Sequence, residues 1–226
     1  CPDVMLQAFY WNSTSGSSGE GGGNGYGRTK WIDFLNGNNG SSAEEIGQWF
    51  DMIWFPPMSA GSGLGYHPSD YSSLSSDRGT KEKLSQMVDI IHKNGGRVIA
   101  DIVINHGDAK SGWCGYASGY NFGTYGKFVP DGSYICRTDE VNNSASGAPA
   151  ECVGFATGGN DDGYGDEANY AASRDWDHTN ANVRNMFKAY LKWMRNEVKV
   201  DGFRYDYCKG YHNSHINDYN KASEPY

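Results

Sequence analysis

Apolar positions along the chain fall into two alternating rhythms. Short, nearly continuous apolar runs recur at 5–11 (MLQAFYW), Met52–Phe55 (MIWF), 97–104 (RVIADIVI) and 200–205 (VDGFRY). Runs of this length, closed by Gly or Pro and rich in branched or aromatic residues, predict buried strands. Between them the spacing becomes helical. Ser42 and Glu45 form a capping box before Ile46, Trp49 and Phe50, which would supply an apolar side. Thr80 caps a second segment in which Leu84, Met87, Val88 and Ile91 recur at helical spacing, ended by Asn94-Gly95-Gly96. A third stripe runs over 182–197 through Val183, Met186, Phe187, Tyr190, Leu191 and Met194.

Strands that are apolar throughout, with helices between them, predict a parallel sheet covered on both faces. Four such strands, each but the last followed by a helix, amount to half of an eight-stranded α/β barrel of the TIM type. The pattern fails over 107–173, which is rich in Gly, Tyr, Asn and Asp. That stretch is too long for an ordinary loop and reads as an inserted subdomain. The expected organisation is a first barrel part at 1–106, an insertion at 107–173 and a continued barrel at 174–226, stopping before a fifth strand.

Composition narrows the class of function. With 19 Lys and Arg against 27 Asp and Glu, the net charge is −8, which argues against a nucleic-acid partner. No apolar run approaches membrane-spanning length, and nothing implies an oligomer. The aromatic content of 14% leaves two readings open: flat surfaces for stacking sugars, or packing in a loop-rich fold. Five cysteines, three of them in the insertion, point to a secreted protein that has lost its export signal. Cys136 and Cys152 flank a polar stretch (RTDEVNNSASGAPAE) that a disulfide would brace, and Cys208 is expected to be a free thiol.

Chemistry in such a barrel gathers where strands end. Arg204 and Asp206 are two apart on one strand, so both face the barrel mouth. A guanidinium beside a carboxylate favours the ionised form, which suits a nucleophile rather than a general acid. Alone, the pair also reads as an ordinary interior ion pair. Asn105-His106 ends the preceding strand, and the Asn oxygen suits calcium; a loop-capping Asn beside a surface His is the alternative. The acidic stretch at 160–177 lacks EF-hand order, so any calcium site there would draw ligands from distant segments.

Taken together these segments resemble the α-amylase family of retaining glycoside hydrolases. DIVINH and GFRYDYCKGYH match two family signatures in order, and FDMIWFPP, GYHPSDY and RDWDHTN match family positions around them. The resemblance implies endo-hydrolysis of α-1,4 bonds in starch and malto-oligosaccharides, with Asp206 as nucleophile and Arg204 orienting it. It implies sugar contacts from Tyr66, His106, Lys209 and His212. It implies Ca2+ held by Asn105, Asp175 and the Gly210 carbonyl, with Asp162 and Asp166 as candidates for a further carboxylate. The family's general acid follows a fifth strand. Glu224, in KASEPY, has the wrong setting for it, so these 226 residues alone are expected to be inactive. The alternatives are a non-catalytic glucan- and calcium-binding fragment, or a malto-oligosaccharide-forming or transglycosylating relative.

Overall fold

The computed structural model describes residues 3–9, 30–38, 40–138, 147–160, 163 and 173–225. The glycine-rich loop after the first strand, Asp162 and Asp166 lie outside them. In chain order the first elements are β1 (Met5–Gln7), α1 (Trp31–Asn36), α2 (Ala43–Trp49) and β2 (Met52–Phe55). A hairpin, β3 (Ala60–Ser62) and β4 (His67–Asp70), follows, then α3 (Lys81–Lys93), β5 (Arg97–Ile102) and β6 (His106–Gly107). The remaining elements are β7 (Tyr120–Asn121), β8 (Lys127–Phe128), β9 (Arg174–Asp175), α4 (Ala181–Trp193), β10 (Gly202–Tyr205) and α5 (Asn213–Ser223).

Four of the strands form one sheet in the order β1-β2-β5-β10, and every neighbouring pair is parallel. This is the α/β arrangement expected from the apolar runs, and the order follows the chain as in a barrel wall. On the helix side, Ile53, Phe55, Val98, Ala100 and Ile102 are buried, as are Leu84, Met87, Val88 and Ile91 of α3. Ser42 accepts from the Glu45 backbone N–H while Glu45 returns a bond to the Ser42 N–H, so α2 starts at the capping box. Thr80 caps α3 by accepting from the Lys83 backbone N–H alone.

Several expectations need correction. Among the described residues of the first run only Met5–Gln7 is strand, and the run at 97–104 is strand only as far as Ile102. Trp49 does not pack inward; it is 62% exposed. The last strand is followed by a helix, α5, whose buried residues are Tyr219 and Ser223. Helix α1 and the β3–β4 hairpin were not foreseen. Helix α4 ends in a single π turn, Met194–Val198, before Lys199 in a left-handed conformation. The disulfide joins Cys114 to Cys152, not Cys136 to Cys152; Cys136 is a buried thiol and Cys208 an exposed one.

The aromatic excess is largely core. Tyr71 lies at its centre, with ring centroids 5.3 Å from Tyr120, 5.4 Å from Phe187 and 5.3 Å from Tyr190, all edge-on. Its hydroxyl donates to the Val103 and His106 carbonyls at 2.9 Å and accepts from Trp176 Nε1 at 3.1 Å. These rings fasten the hairpin and the residues after β6 to α4, and so hold the strand ends that carry the candidate site.

Candidate active site at the strand ends

Arg204 lies on β10 directly opposite Asp101 on β5. Its Nη1 donates to Asp206 Oδ1 at 2.5 Å and to both Asp101 oxygens at 3.1 and 3.3 Å. One guanidinium therefore serves two carboxylates, and it also lies 5.0 Å over the Trp54 ring from β2. Asp101 accepts further bonds from Trp54 Nε1 at 3.0 Å and Tyr66 Oη at 2.7 Å. Burial pushes the Asp101 carboxyl up to about 6, against the opposing pull of Tyr66 and Arg204. Burial disfavours the Arg204 cation, but the two carboxylates outweigh that and hold it above its ordinary range. Burial, with Asp101 beside it, drives the Tyr66 phenol well up, so it stays a donor.

Tyr66 reaches this position through an unusual turn. Gly63, Leu64 and Gly65 all have positive φ, 56°, 63° and 92°. Gly65 also has no room for a side chain: an added Cβ would lie 2.9 Å from Pro57 Cβ and 3.0 Å from Arg78 Nη2. His106 hydrogen-bonds the Tyr66 carbonyl through Nε2 at 3.0 Å, and its Nδ1 accepts from Asn105 Nδ2 at 3.3 Å. Burial lowers its pKa, favouring the neutral ring. Asp206, Arg204, Tyr66 and His106 are thus brought to one mouth. Tyr207 joins them with its ring 6.3 Å from His106 and a strained φ of 45°. Lys209 stacks its ammonium 4.9 Å over Tyr207. His212 is placed differently, as the N-cap of α5, with Nδ1 accepting from the Ser214 N–H at 3.2 Å.

Beside this mouth three expected metal ligands converge. Asn105 is buried, and its Nδ2 donates to Asp175 Oδ1 at 3.4 Å. Its other end, Oδ1, packs against Gly210 so closely that a methyl group there would overlap it. A Cβ on Gly163 would likewise overlap the Gly210 carbonyl. The Asn105 side chain thus touches two other segments, Asp175 through its nitrogen and Gly210 at its oxygen. Among the described residues no group of three or more His, Cys, Asp or Glu is arranged to hold a metal.

Asp101 and Trp54 were both within recognised segments yet not singled out. A lone carboxylate inside the apolar run RVIADIVI was the available signal, because such a group has to find partners when buried.

The family model for the α-amylase catalytic domain matches residues 43–224. The chain is 32% identical to α-amylase 3, chloroplastic, of Arabidopsis thaliana over 226 residues, covering 99% of this chain and 22% of that protein. It is 29% identical to an oligo-1,6-glucosidase of Bacillus sp. over 49% of this chain and 20% of that one. It superposes with a TM-score of 0.53, at 18% identity, on the α-amylase of Geobacillus thermoleovorans solved with acarbose, over 80% of this chain and 36% of that structure. The chain thus spans about a fifth of these two relatives' length. With its strand ends, sheet order and 43–224 all in agreement, the chain belongs to the α-amylase catalytic-domain family.

Proposed function

We propose that the full-length protein hydrolyses α-1,4-glucosidic bonds within starch-like glucans, with retention of configuration. The reading rests on one observation: Asp206 is held at 2.5 Å by a guanidinium that is itself anchored on Asp101, beside Tyr66 and His106. Asp206 attacks the anomeric carbon. Arg204 orients it and favours its anionic form. Tyr66, fixed by its phenol, presents a ring to the sugar, and His106 lines the same subsite. Lys209 serves the leaving-group side, with His212 at its edge. A retaining mechanism requires a second carboxyl about 5–5.5 Å from the nucleophile. The family resemblance assigns it to a Glu after a fifth strand.

Asn105, Asp175 and the Gly210 carbonyl would hold Ca2+, with Asp162 or Asp166 completing the set. Bound there, calcium supplies a tie between β6, the insertion and the end of β10. The Cys114–Cys152 disulfide supports an oxidising destination, hence export.

The test is the full-length protein on soluble starch, with product anomers followed by NMR. Initial release of the α-anomer is expected. Asp206→Asn should lower turnover by at least about a thousandfold without lowering the melting temperature. Initial β-anomer, or an active Asp206→Asn protein, would sink the proposal. Because the chain also resembles an oligo-1,6-glucosidase, isomaltose belongs in the same assay.

A further inference from the structure

A cavity of about 320 Å³ opens between the β3–β4 hairpin and the segment following β6. Its walls include Ser62 and Ser69 of the hairpin, Asp108, Gly112, Trp113 and Arg174 of β9. The walls are built from inside. Arg174 is buried, donates Nη2 to Asp108 Oδ1 at 2.5 Å, and lies 4.6 Å over the Trp113 ring. The indole is therefore held in place before any ligand arrives, which lowers the ordering cost of binding.

Charge at the cavity is already paired. Asp108 is matched by Arg174, and nearby Lys110 bonds Asp70 at 2.9 Å. A phosphorylated or cationic ligand would find no partner charge. What the cavity offers is suited to a neutral, hydroxyl-rich ligand. Asp108 Oδ2, Trp113 Nε1 and Ser62 Oγ make no hydrogen bond among the described residues. An acceptor, a donor and a hydroxyl beside a rigid aromatic wall match a sugar ring, with its hydroxyl edge and apolar C–H face. The volume is at the lower end of the roughly 300–1,000 Å³ range of small-molecule sites, enough for about one or two glucosyl units.

A chain of side-chain contacts links the cavity wall to the catalytic mouth. Ser173 Oγ donates to Asp108 Oδ1 at 3.0 Å and bonds His67 Nδ1 at 2.8 Å. The His67 ring is 6.2 Å from that of His106. We propose that this cavity is a further sugar subsite, which grips a glucosyl unit of a long glucan away from the bond being cut. The inference rests on the glucan reading above and names the place that would confer a preference for longer chains.

The test uses the full-length protein and two substitutions outside the catalytic mouth. Ser62→Leu fills the cavity from an exposed wall, and Trp113→Ala removes the aromatic wall; the first guards against misfolding of the second. With maltoheptaose, KM is expected to rise about tenfold in both. With maltotriose, kcat/KM should change less than about twofold. Equal losses on both substrates, or no loss with either variant, would overturn the subsite. If the wild type cuts neither sugar, the catalytic reading has failed, and calorimetric titration with maltoheptaose decides the subsite alone. Binding weakened about tenfold by Ser62→Leu supports it; absent or unaltered binding overturns it.

Discussion

Arg204 Nη1 is shared between two carboxylates, yet burial outweighs its pull on Asp101 and gives that carboxyl a measurable signature. Its carboxyl is pushed up to about 6 by burial, above the usual value of 3.8. A raised carboxyl pKa means that ionisation costs more in the folded state than in the unfolded one. The associated stability is complete below about pH 3.8 and is lost as pH climbs through about 6. Asp101→Asn should therefore flatten this part of the stability profile, read as melting temperature at pH 4, 5 and 6. Gly210 offers a second residue-scale test. A methyl group there would overlap Asn105 Oδ1, so Gly210→Ala should cost about 1–3 kcal/mol by overpacking. It should also abolish any rise in melting temperature on adding calcium, whereas the unaltered protein gains one. Of these groups, Arg204, Asp206, His106 and Asn105 were legible from strand-end position and motif. Asp101 was less so, because its role depends on the register that sets it opposite Arg204.

Among the elements, those read correctly carry strong local instructions. The Ser42–Glu45 box starts α2, and Ser42→Ala should destabilise the protein by about 1 kcal/mol in denaturant titration. The missed elements lack such instructions. Helix α5 (NSHINDYNKAS) is polar, buries only Tyr219 and Ser223, and is capped by a histidine. What holds it is tertiary: Tyr219 Oη meets buried His178 Nδ1 at 2.5 Å, and His178 Nε2 reaches the Ile104 carbonyl at 2.7 Å. The β3–β4 hairpin has short strands, AGS and HPSD, without apolar alternation. Trp49 was misplaced because a seven-residue helix touches its neighbours over one narrow stripe, and Ala43, Ile46 and Gly47 occupy it.

At the scale of the whole molecule, the parallel sheet sets where strand ends meet, and the segment between β6 and β9 carries a crosslink spanning 38 residues. Loop-closure entropy for a link of that span predicts that Cys114→Ser lowers stability by about 2–4 kcal/mol, measured by denaturant unfolding. Cys208→Ser, at an exposed thiol, should change it by less than about 0.5 kcal/mol. Peptide mapping under non-reducing conditions checks the pairing itself. Spacing favoured Cys136 with Cys152, since the two flank one loop. In the folded chain the Cys114 and Cys152 Cα atoms stand 5.9 Å apart, while Cys136 is drawn into the core, its N–H bonded to the Asp175 carbonyl.

The amino-acid order alone determined the alternation of buried strand and amphipathic helix, the caps, and the sequence of motifs that mark the family. Those are properties of neighbours within a turn or a strand, so periodicity and capping chemistry encode them directly. The tertiary structure decided the sharing of Arg204 between Asp206 and Asp101, the disulfide partner, the gathering of Asn105, Asp175 and Gly210, and the cavity beside Trp113. Each joins segments far apart in the chain; Arg204 and Asp101, for instance, are separated by 103 residues. Which distant groups touch depends on strand register and packing volume, and no local pattern of residues specifies either.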